Sequence, residues 1–180
     1  MQYKLAAATY LLLPGTPFIY YGEEIGMAGA KGLTDDPFIR GPYSWQDNEK
    51  TAGFTSAQPY RAVSGNVSTH HAQGQKVNDN SLWSFYRDML KLRNTRISLA
   101  KGSYEAVQTQ GQVWAYQRKA GQEHSVVIIN YGMRPAALQL EGIDSNATLR
   151  PIYPSKGKSN QIGAQLSMPA QSVYVFAVEK

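Results

Sequence analysis

The most informative stretch of the chain covers residues 13–27 and reads LPGTPFIYYGEEIGM. Pro14 and Gly15 are of the kinds that end helices, so a helix in front of them is expected to stop here. The run that follows, FIYY at 18–21, is apolar on both sides, as strands of buried parallel sheets are. We therefore predict a tight turn that leads directly into a buried strand.

Two helices are predicted from the spacing of apolar residues on either side of this stretch. Residues 4–13 place Leu5, Ala8 and Leu12 on one helical face. A helix, a tight turn and a buried strand together make half of an α/β repeat. The second helix covers residues 81–96, where a longer apolar stripe occupies positions 82, 85, 86, 89 and 92.

The apolar period changes to two after about residue 98, which is the period of strands. We predict six strands, at 104–108, 113–118, 125–130, 137–140, 148–152 and 172–178. Short strands in regular succession, separated by turn residues, favour an antiparallel sandwich. The predicted fold is therefore α+β by content, with one domain over residues 1–97 and a second over 98–180.

The stretch from 22 to 80 has a different composition, rich in Gly, Pro, Asn, Gln and Ser and poor in apolar runs. A loop of this length inside a compact domain is usually either functional or disordered. Disordered segments are poor in aromatic residues, whereas this one contains Phe38, Tyr43, Trp45, Phe54 and Tyr60. We therefore expect an ordered loop that forms a site.

The segment 13–27 resembles the last barrel strand of the α-amylase family, glycoside hydrolase family 13. Two elements of the loop, RGPYSW at 40–45 and AGFT at 52–55, resemble motifs that follow this strand in many members. Further elements fall in the order that the family shows: Asn66-Val67, Gln75, the helix over 82–93, and Gly102-Ser103-Tyr104. The resemblance covers essentially the whole chain. Among members, α-amylases and α-glucosidases that act on maltooligosaccharides are most similar.

This resemblance implies a (β/α)8 barrel followed by a β-sandwich. A barrel of that kind needs about 250 residues, so residues 1–97 match only its end: the last strand, its flanking helices and the long loop between them. The chain is thus expected to be the C-terminal fragment of an enzyme that acts on α-glucans or maltooligosaccharides. A stand-alone carbohydrate-binding or self-associating accessory module is the alternative.

Retaining hydrolysis of a glycoside needs two carboxyl groups roughly 5 Å apart. In the family that the sequence resembles, these lie on the fourth and fifth barrel strands, and a third Asp follows the seventh strand in an NHD-like motif. None of these motifs occurs in this chain, and the only His-His pair, His70-His71, has no such context. We therefore assign no catalytic residue and expect the chain alone to be inactive.

Four residues are candidates for contact with the substrate or for support of the site. Glu23 and Glu24 follow the predicted strand and would point to opposite faces if it continued; the resemblance implies that this segment supports the site, with Glu24 favoured. Arg40 and Trp45 could bind sugar hydroxyls and the C–H face of a sugar ring. The competing interpretation is that Arg40 pairs with a carboxylate and Trp45 packs the loop.

No cofactor or metal is predicted. Some family members bind calcium, and Asp35, Asp36 and Asp47 are carboxylates in the loop, but the spacing of a calcium-binding loop is absent. The chain has no cysteine, which excludes disulfides and thiolate metal sites. The net charge of +5 comes from scattered basic residues, so we expect no nucleic-acid partner. The apolar stretch 5–13 is too short to span a membrane, and localisation stays unknown.

Two kinds of partner follow from this interpretation. The intact enzyme would bind an α-glucan oligosaccharide. The strand predicted at 18–21 would have unpaired edges and bare apolar side chains without the rest of a barrel, so we expect self-association through it. In the second domain, Trp114 and Tyr116 lie on one face of a predicted strand, and we expect them in the core rather than as a platform for sugars.

Overall fold

A computed structural model describes residues 1–30, 32, 34–107, 111–144, 146–155, 161–162 and 165–179. They fall into two compact units. One, here the sheet unit, comprises Met1–Pro17 and Met89–Lys180, and the other, here the loop unit, is Phe18–Asp88. This grouping is based on contacts between residues and does not test the predicted domain boundary at residue 98, which stays a prediction.

The helices are α1 (Gln2–Leu12), a 3₁₀ helix (Glu23–Ile25), α2 (Asp35–Ile39), α3 (Ala72–Lys76), α4 (Leu82–Thr95) and α5 (Ile97–Lys101). The strands are β1 (Glu105–Val107), β2 (Val113–Ala120), β3 (Glu123–Asn130), β4 (Ala136–Gln139), β5 (Thr148–Tyr153), β6 (Gln161–Ile162), β7 (Gln165–Met168) and β8 (Ser172–Glu179). None of the helices in the described part of the chain is long and apolar enough to cross a bilayer.

The strands form two antiparallel sheets in the sheet unit. Six of them pair in the order β1-β2-β3-β8-β5-β6, and β4 pairs with β7. Hairpin neighbours β2 and β3 are joined at Gly121, whose φ of 57° lies in the left-handed region that glycine tolerates. In the central register Ile128 of β3 lies opposite Tyr174 of β8 and Ala115 of β2.

Both sheets contribute to one hydrophobic core. Val126 and Ile128 of the large sheet are fully buried in the same cluster as Leu138 and Met168 of the small one. Each such side chain contributes about 1.5–3 kcal/mol of transfer free energy when it leaves water. This burial explains why β4 and β7 stay attached to the large sheet although they pair only with each other.

The C-terminal end of α1 is closed by two buried arginines. Carbonyl groups of the last helical turn have no partners within the helix. Arg93 donates from Nη1 to the carbonyls of Leu11 at 2.8 Å and Leu13 at 2.7 Å. Arg118 donates from Nη1 to the carbonyl of Leu12 at 2.9 Å. The two guanidinium groups therefore satisfy three successive carbonyls and place positive charge at the negative end of the helix dipole.

A second polar cluster fixes the start of α5. The Glu123 carboxylate accepts hydrogen bonds from the backbone N–H and the hydroxyl of Ser98, both at 2.7 Å. Arg96 lies 3.8 Å from the same carboxylate. Partial burial acts to raise the pKa of Glu123, but the Ser98 hydrogen bonds and the Arg96 charge outweigh it and hold the pKa below its ordinary value.

The structure confirms the α+β content, the antiparallel sheets and most of the predicted elements. The helix predicted at 81–96 is α4, and the strands predicted at 113–118 and 125–130 are β2 and β3. Residue 108, the end of one predicted strand, lies outside the described residues. Two short strands, β6 and β7, and the helix α5 were not predicted. Tyr116 is fully buried, as expected of a core residue.

The buried strand predicted at 18–21 is wrong. These residues form no strand, and Phe18 is 88% exposed, with Ile19, Tyr20 and Tyr21 exposed as well. A strand satisfies its N–H and C=O groups through neighbouring strands. The described residues of the loop unit contain none, so the segment has nothing with which to pair.

Candidate functional site

The candidate site is built around a tight turn at Gly22–Met27. The N–H of Met27 donates to the carbonyl of Gly22 at 2.8 Å, which closes the turn around the 3₁₀ helix. Gly22 has a φ of 88°, and a Cβ there would meet the Met27 side chain at 3.0 Å. Glycine is therefore required at this position. Glu23 and Glu24 lie in the 3₁₀ helix, so the strand continuation considered from the sequence does not occur.

Both carboxylate oxygens of Glu24 accept hydrogen bonds. Oε2 accepts from the N–H of Gly22 at 2.9 Å, and Oε1 accepts from the hydroxyl of Tyr43 at 2.5 Å. Burial, together with the hydrogen bond to Glu24 and its negative charge, raises the pKa of Tyr43 far above its ordinary value. The Tyr43 hydroxyl thus keeps its proton and acts as a donor, which fixes Glu24 between the turn and the loop.

Glu23 contacts a different element. Its Oε1 accepts from the hydroxyl of Tyr86 in α4 at 3.3 Å. Each of the two adjacent glutamates is therefore engaged by a tyrosine hydroxyl. Such contacts suit side chains that hold a loop in place, whereas a general acid or base needs access to the proton it transfers.

The RGPYSW element places its aromatic residues next to the turn. The ring centres of Tyr43 and Trp45 lie 4.5 Å apart with the planes tilted by 56°, a favourable aromatic geometry. The N–H of Trp45 donates to the carbonyl of Ala52 at 2.8 Å, which ties this element to AGFT. Trp45 itself is 46% exposed, so a large part of its indole faces solvent.

Arg40 lies apart from this group of residues. Its Nε contacts Asp36 Oδ1 at 3.0 Å across one turn of α2, with both side chains more than half exposed. Exposed pairs of this kind contribute about 0–1 kcal/mol. Of the four residues singled out from the sequence, the structure thus connects Glu24 and Trp45 through Tyr43. Glu23 and Arg40 have other partners, Tyr86 for Glu23 and the Asp36 carboxylate for Arg40.

The turn is also held by two amide side chains, those of Asn66 and Gln75, to which the sequence assigned no role. Asn66 donates from Nδ2 to the carbonyl of Gly26 at 3.0 Å and accepts from the N–H of Ala28 at 2.9 Å. Gln75 donates from Nε2 to the carbonyl of Ile25 at 2.6 Å and accepts from the N–H of Trp83 at 3.1 Å. The sequence signal for them is general: backbone groups of a half-buried loop need partners, and amides can both donate and accept.

The loop unit also contains an open cleft of about 790 Å³. Its walls are mostly polar and come from residues 49–51, 56–59, 61–65, 67 and 68. None of the four residues singled out from the sequence lines it. Among the residues that the structure describes, no three His, Cys, Asp or Glu side chains converge as a metal site would require. Asp36 is engaged with Arg40, as noted above.

Comparison with known proteins places this geometry in context. Residues 1–102 match the family model for the α-amylase catalytic domain. Alpha-amylase 3 of Dictyoglomus thermophilum is 36% identical over 128 residues, which cover 70% of this chain and 25% of that protein. The probable oligo-1,6-glucosidase 3 of Bacillus subtilis is 28% identical over 175 residues, which cover 78% of this chain and 31% of that protein.

Solved structures match over almost the entire chain. The trehalulose synthase of Pseudomonas mesoacidophila MX-45 superimposes with a TM-score of 0.82 at 22% identity, covering 98% of this chain and 38% of that one. A mutant isomaltulose synthase of Erwinia rhapontici NX5, solved with sucrose, gives 0.81 at 24% identity and covers 99% and 38%. The fold is thus shared. The chain spans only about a quarter to a third of the length of the curated relatives that it matches.

Proposed function

Because the chain belongs to the α-amylase family, we propose that it forms the C-terminal part of an enzyme that cleaves α-glucans or maltooligosaccharides. The observation that carries this proposal is the family match over residues 1–102, combined with the share of its curated relatives that the chain spans. Those relatives are named as α-amylase and oligo-1,6-glucosidase. We therefore take an α-linked glucose oligosaccharide as the substrate class.

The proposed architecture is the end of a (β/α)8 barrel over residues 1–97 and a β-sandwich over 98–180. Two antiparallel sheets with a common core support the sandwich. The apolar side chains at 18–21 form no strand but are exposed, and they support the barrel assignment because an exposed apolar segment of this kind needs packing partners. In the intact enzyme those partners would come from polypeptide outside this chain.

The chemistry of glycoside cleavage decides which roles we propose for Glu23 and Glu24. A retaining mechanism requires a nucleophile and a general acid on opposite sides of the glycosidic oxygen. Glu23 and Glu24 lie in one short helix, and each is held by a tyrosine hydroxyl. We therefore propose that they support the site and are neither the nucleophile nor the general acid. The catalytic carboxylates are proposed to lie in the part of the barrel that this chain does not include.

Trp45 is the residue proposed to contact substrate. The indole offers a flat apolar face to the C–H groups of a sugar ring, and it is both exposed and braced by Tyr43. Glu24 acts on the sugar only indirectly, by holding the Tyr43 hydroxyl. Arg40 is proposed as a residue of the loop surface, engaged with Asp36.

The first test is an activity assay on the purified chain with maltooligosaccharides, read as released reducing sugar. We expect no release above the blank from the chain or from its Glu23→Gln/Glu24→Gln double variant. Release from the parent chain that the double variant abolishes would refute the proposal, because the two glutamates would then be catalytic.

The second test examines the coding sequence upstream. An open reading frame that continues without a stop into residue 1, and that encodes an NHD-like motif just before it, would support the proposal. An intact enzyme assembled from that frame should lose activity on maltooligosaccharides when Trp45 is replaced by alanine, chiefly through a higher KM. An unchanged KM in Trp45→Ala would remove Trp45 from the proposed substrate contacts.

A further inference from the structure

Lys76, the last residue of α3, places its ammonium group between two tryptophans. Its Nζ lies 5.7 Å from the ring centre of Trp45 and 5.9 Å from that of Trp83. A cation within about 6 Å of an indole ring is attracted by the electrons of the ring face. Arg87 covers Trp83 in the same way at 5.5 Å. Indole rings and cations thus alternate from Trp45 through Lys76 and Trp83 to Arg87, and the Tyr43 ring adjoins Trp45.

The position of Lys76 in this row is fixed by its neighbours in α3. The N–H groups of Ala72 and Gln73 donate to the carbonyls of Ser44 and Trp45, each at 2.9 Å. The adjacent Gln75 links α3 to Ile25 on one side and to the N–H of Trp83 on the other. These bonds hold the backbone of α3 against the backbone of the RGPYSW element, so the lysine side chain begins from a fixed point.

The same bonds leave the orientation of the Trp45 indole open. The ring is 46% exposed, and packing alone does not restrict its rotation as it would in a core. Among the described residues, the Tyr43 ring lies 4.5 Å from the Trp45 ring between ring centres, and the Lys76 ammonium lies 5.7 Å from the centre of the same ring. The first is an aromatic contact within the RGPYSW element, and the second brings a cation from α3 to the indole.

We propose that Lys76 is a positioning residue: its ammonium, held between the indoles of Trp45 and Trp83, fixes the Trp45 ring in the orientation that meets the sugar. The proposal rests on the proposed function insofar as Trp45 contacts an α-linked glucose oligosaccharide. It adds that the charge of residue 76, and not only its length, determines how tightly that oligosaccharide binds.

Three substitutions separate charge from packing. Lys76→Met keeps a long flexible stem and removes the cation, Lys76→Arg keeps a cation that stacks well on indole, and Lys76→Glu reverses the charge. Lys50→Met is the matched control, because Lys50 is an exposed lysine of the same unit that lines the separate cleft. A role limited to packing would leave Lys76→Met close to the parent chain.

The decisive measurement is quenching of tryptophan fluorescence by acrylamide in a Trp114→Phe background. The two tryptophans that remain, Trp45 and Trp83, are the two that flank Lys76. We expect a larger quenching constant in Lys76→Met and a still larger one in Lys76→Glu, with Lys76→Arg and Lys50→Met equal to the background chain. Equal quenching in Lys76→Met and the background chain would overturn the proposal.

The functional measurement is the Kd for maltopentaose by isothermal titration calorimetry. The loss of one exposed cation–π contact on Trp45 should weaken binding about two- to fivefold in Lys76→Met, and Lys76→Arg should restore it. The experiments distinguish failure of the sugar contact at Trp45 from failure of the positioning role of Lys76. A parent chain that binds no maltopentaose, with quenching still dependent on charge, limits the assigned sugar contact to the intact enzyme and leaves the positioning intact. Binding that is equal in the parent and Lys76→Met overturns the positioning.

Discussion

Replacing Arg118 by methionine perturbs the group that closes the end of α1. The Arg118 side chain is fully buried. Besides the carbonyl of Leu12 at 2.9 Å, it donates from Nε to that of Ser103 at 2.7 Å and from Nη2 to that of Gly102 at 2.9 Å. The carbonyls of two segments, Leu12 and Gly102-Ser103, therefore meet at one planar fork of donors. Methionine retains most of the stem and supplies no donor.

The expected loss follows from these three bonds. The bond to Leu12 is buried, whereas those to Ser103 and Gly102 are partly buried. A buried carbonyl left without its partner costs about 1–3 kcal/mol, so the three together would cost at most about 9, and the partly buried ones cost less. Removing the guanidinium also relieves the cost of burying a charge, which lowers the pKa of Arg118 in the folded chain. Hydrogen bonds from charged donors contribute about 1.5–3 kcal/mol each, and the relieved desolvation offsets part of their sum, which leaves a net loss of about 3–5 kcal/mol. We adopt that range for Arg118→Met.

The assay is urea denaturation followed by far-ultraviolet circular dichroism. The control is Arg150→Met, because Arg150 is an exposed arginine of the same sheet whose Nε contacts Glu179 at 2.5 Å. It should cost less than about 1 kcal/mol. Lysine at 118 carries a compact charge that cannot satisfy three carbonyls at once, and Arg118→Lys should fall between the two. A loss below about 1 kcal/mol in Arg118→Met would refute the reasoning.

Three further predictions concern pH, the site and self-association. The depressed pKa of Glu123 contributes stability that is present above its ordinary value of 4.5 and is lost as the pH falls through the folded-state pKa. Glu123→Gln should therefore be less stable than the parent at pH 7 and lose less stability on acidification. Urea titration at each pH measures both effects. Tyr43→Phe removes the donor to Glu24 and should cost about 1–2 kcal/mol in the same assay. The parent chain should self-associate in light scattering through its exposed apolar segment 18–21, and Phe18→Asp should reduce the apparent mass.

Each of these predictions has a result that would contradict it, and the Tyr43 prediction also has a matched control. A Glu123→Gln chain with the same acid dependence as the parent would remove Glu123 from the acid transition. Tyr60→Phe changes a tyrosine that is 93% exposed and should be neutral; an equal loss in it and in Tyr43→Phe would exclude the Glu24 contact as the cause. A monodisperse monomer of the parent chain at all concentrations would contradict self-association.

The elements that the sequence predicted well are those whose signal is local. The apolar residues of β2 and β3 and the apolar stripe on α4 can be read from a short window of sequence, and such windows predict strands and helices. The error at 18–21 has the opposite origin. Its apolar residues carry the signal of a buried strand, but burial and backbone pairing depend on other strands, and the described chain has none next to it.

The polar contacts that hold the fold and the site together could not be predicted for a related reason. Leu12 and Arg118 are 106 positions apart, and Ile25 and Gln75 are 50 apart. Each residue alone is compatible with a solvent-exposed position, because arginine and glutamine are mostly found there. Only the fold shows that a backbone carbonyl lies within reach. The sequence did identify Glu24 and Trp45, but the link between them, Tyr43, follows from geometry alone.

The loop unit shows how a segment with few apolar runs can still be ordered. Ile25 at its centre is fully buried, and the turn around it is held by Glu24, Asn66 and Gln75, each of which bonds to backbone groups. Such bonds are individually worth about 1 kcal/mol, but leaving their buried partners unsatisfied costs more. Order in this unit therefore depends more on specific polar pairs than on the amount of apolar surface buried. It follows that isosteric loss of a polar group, as in Gln75→Met, should loosen the site more than trimming an exposed aromatic residue such as Phe54.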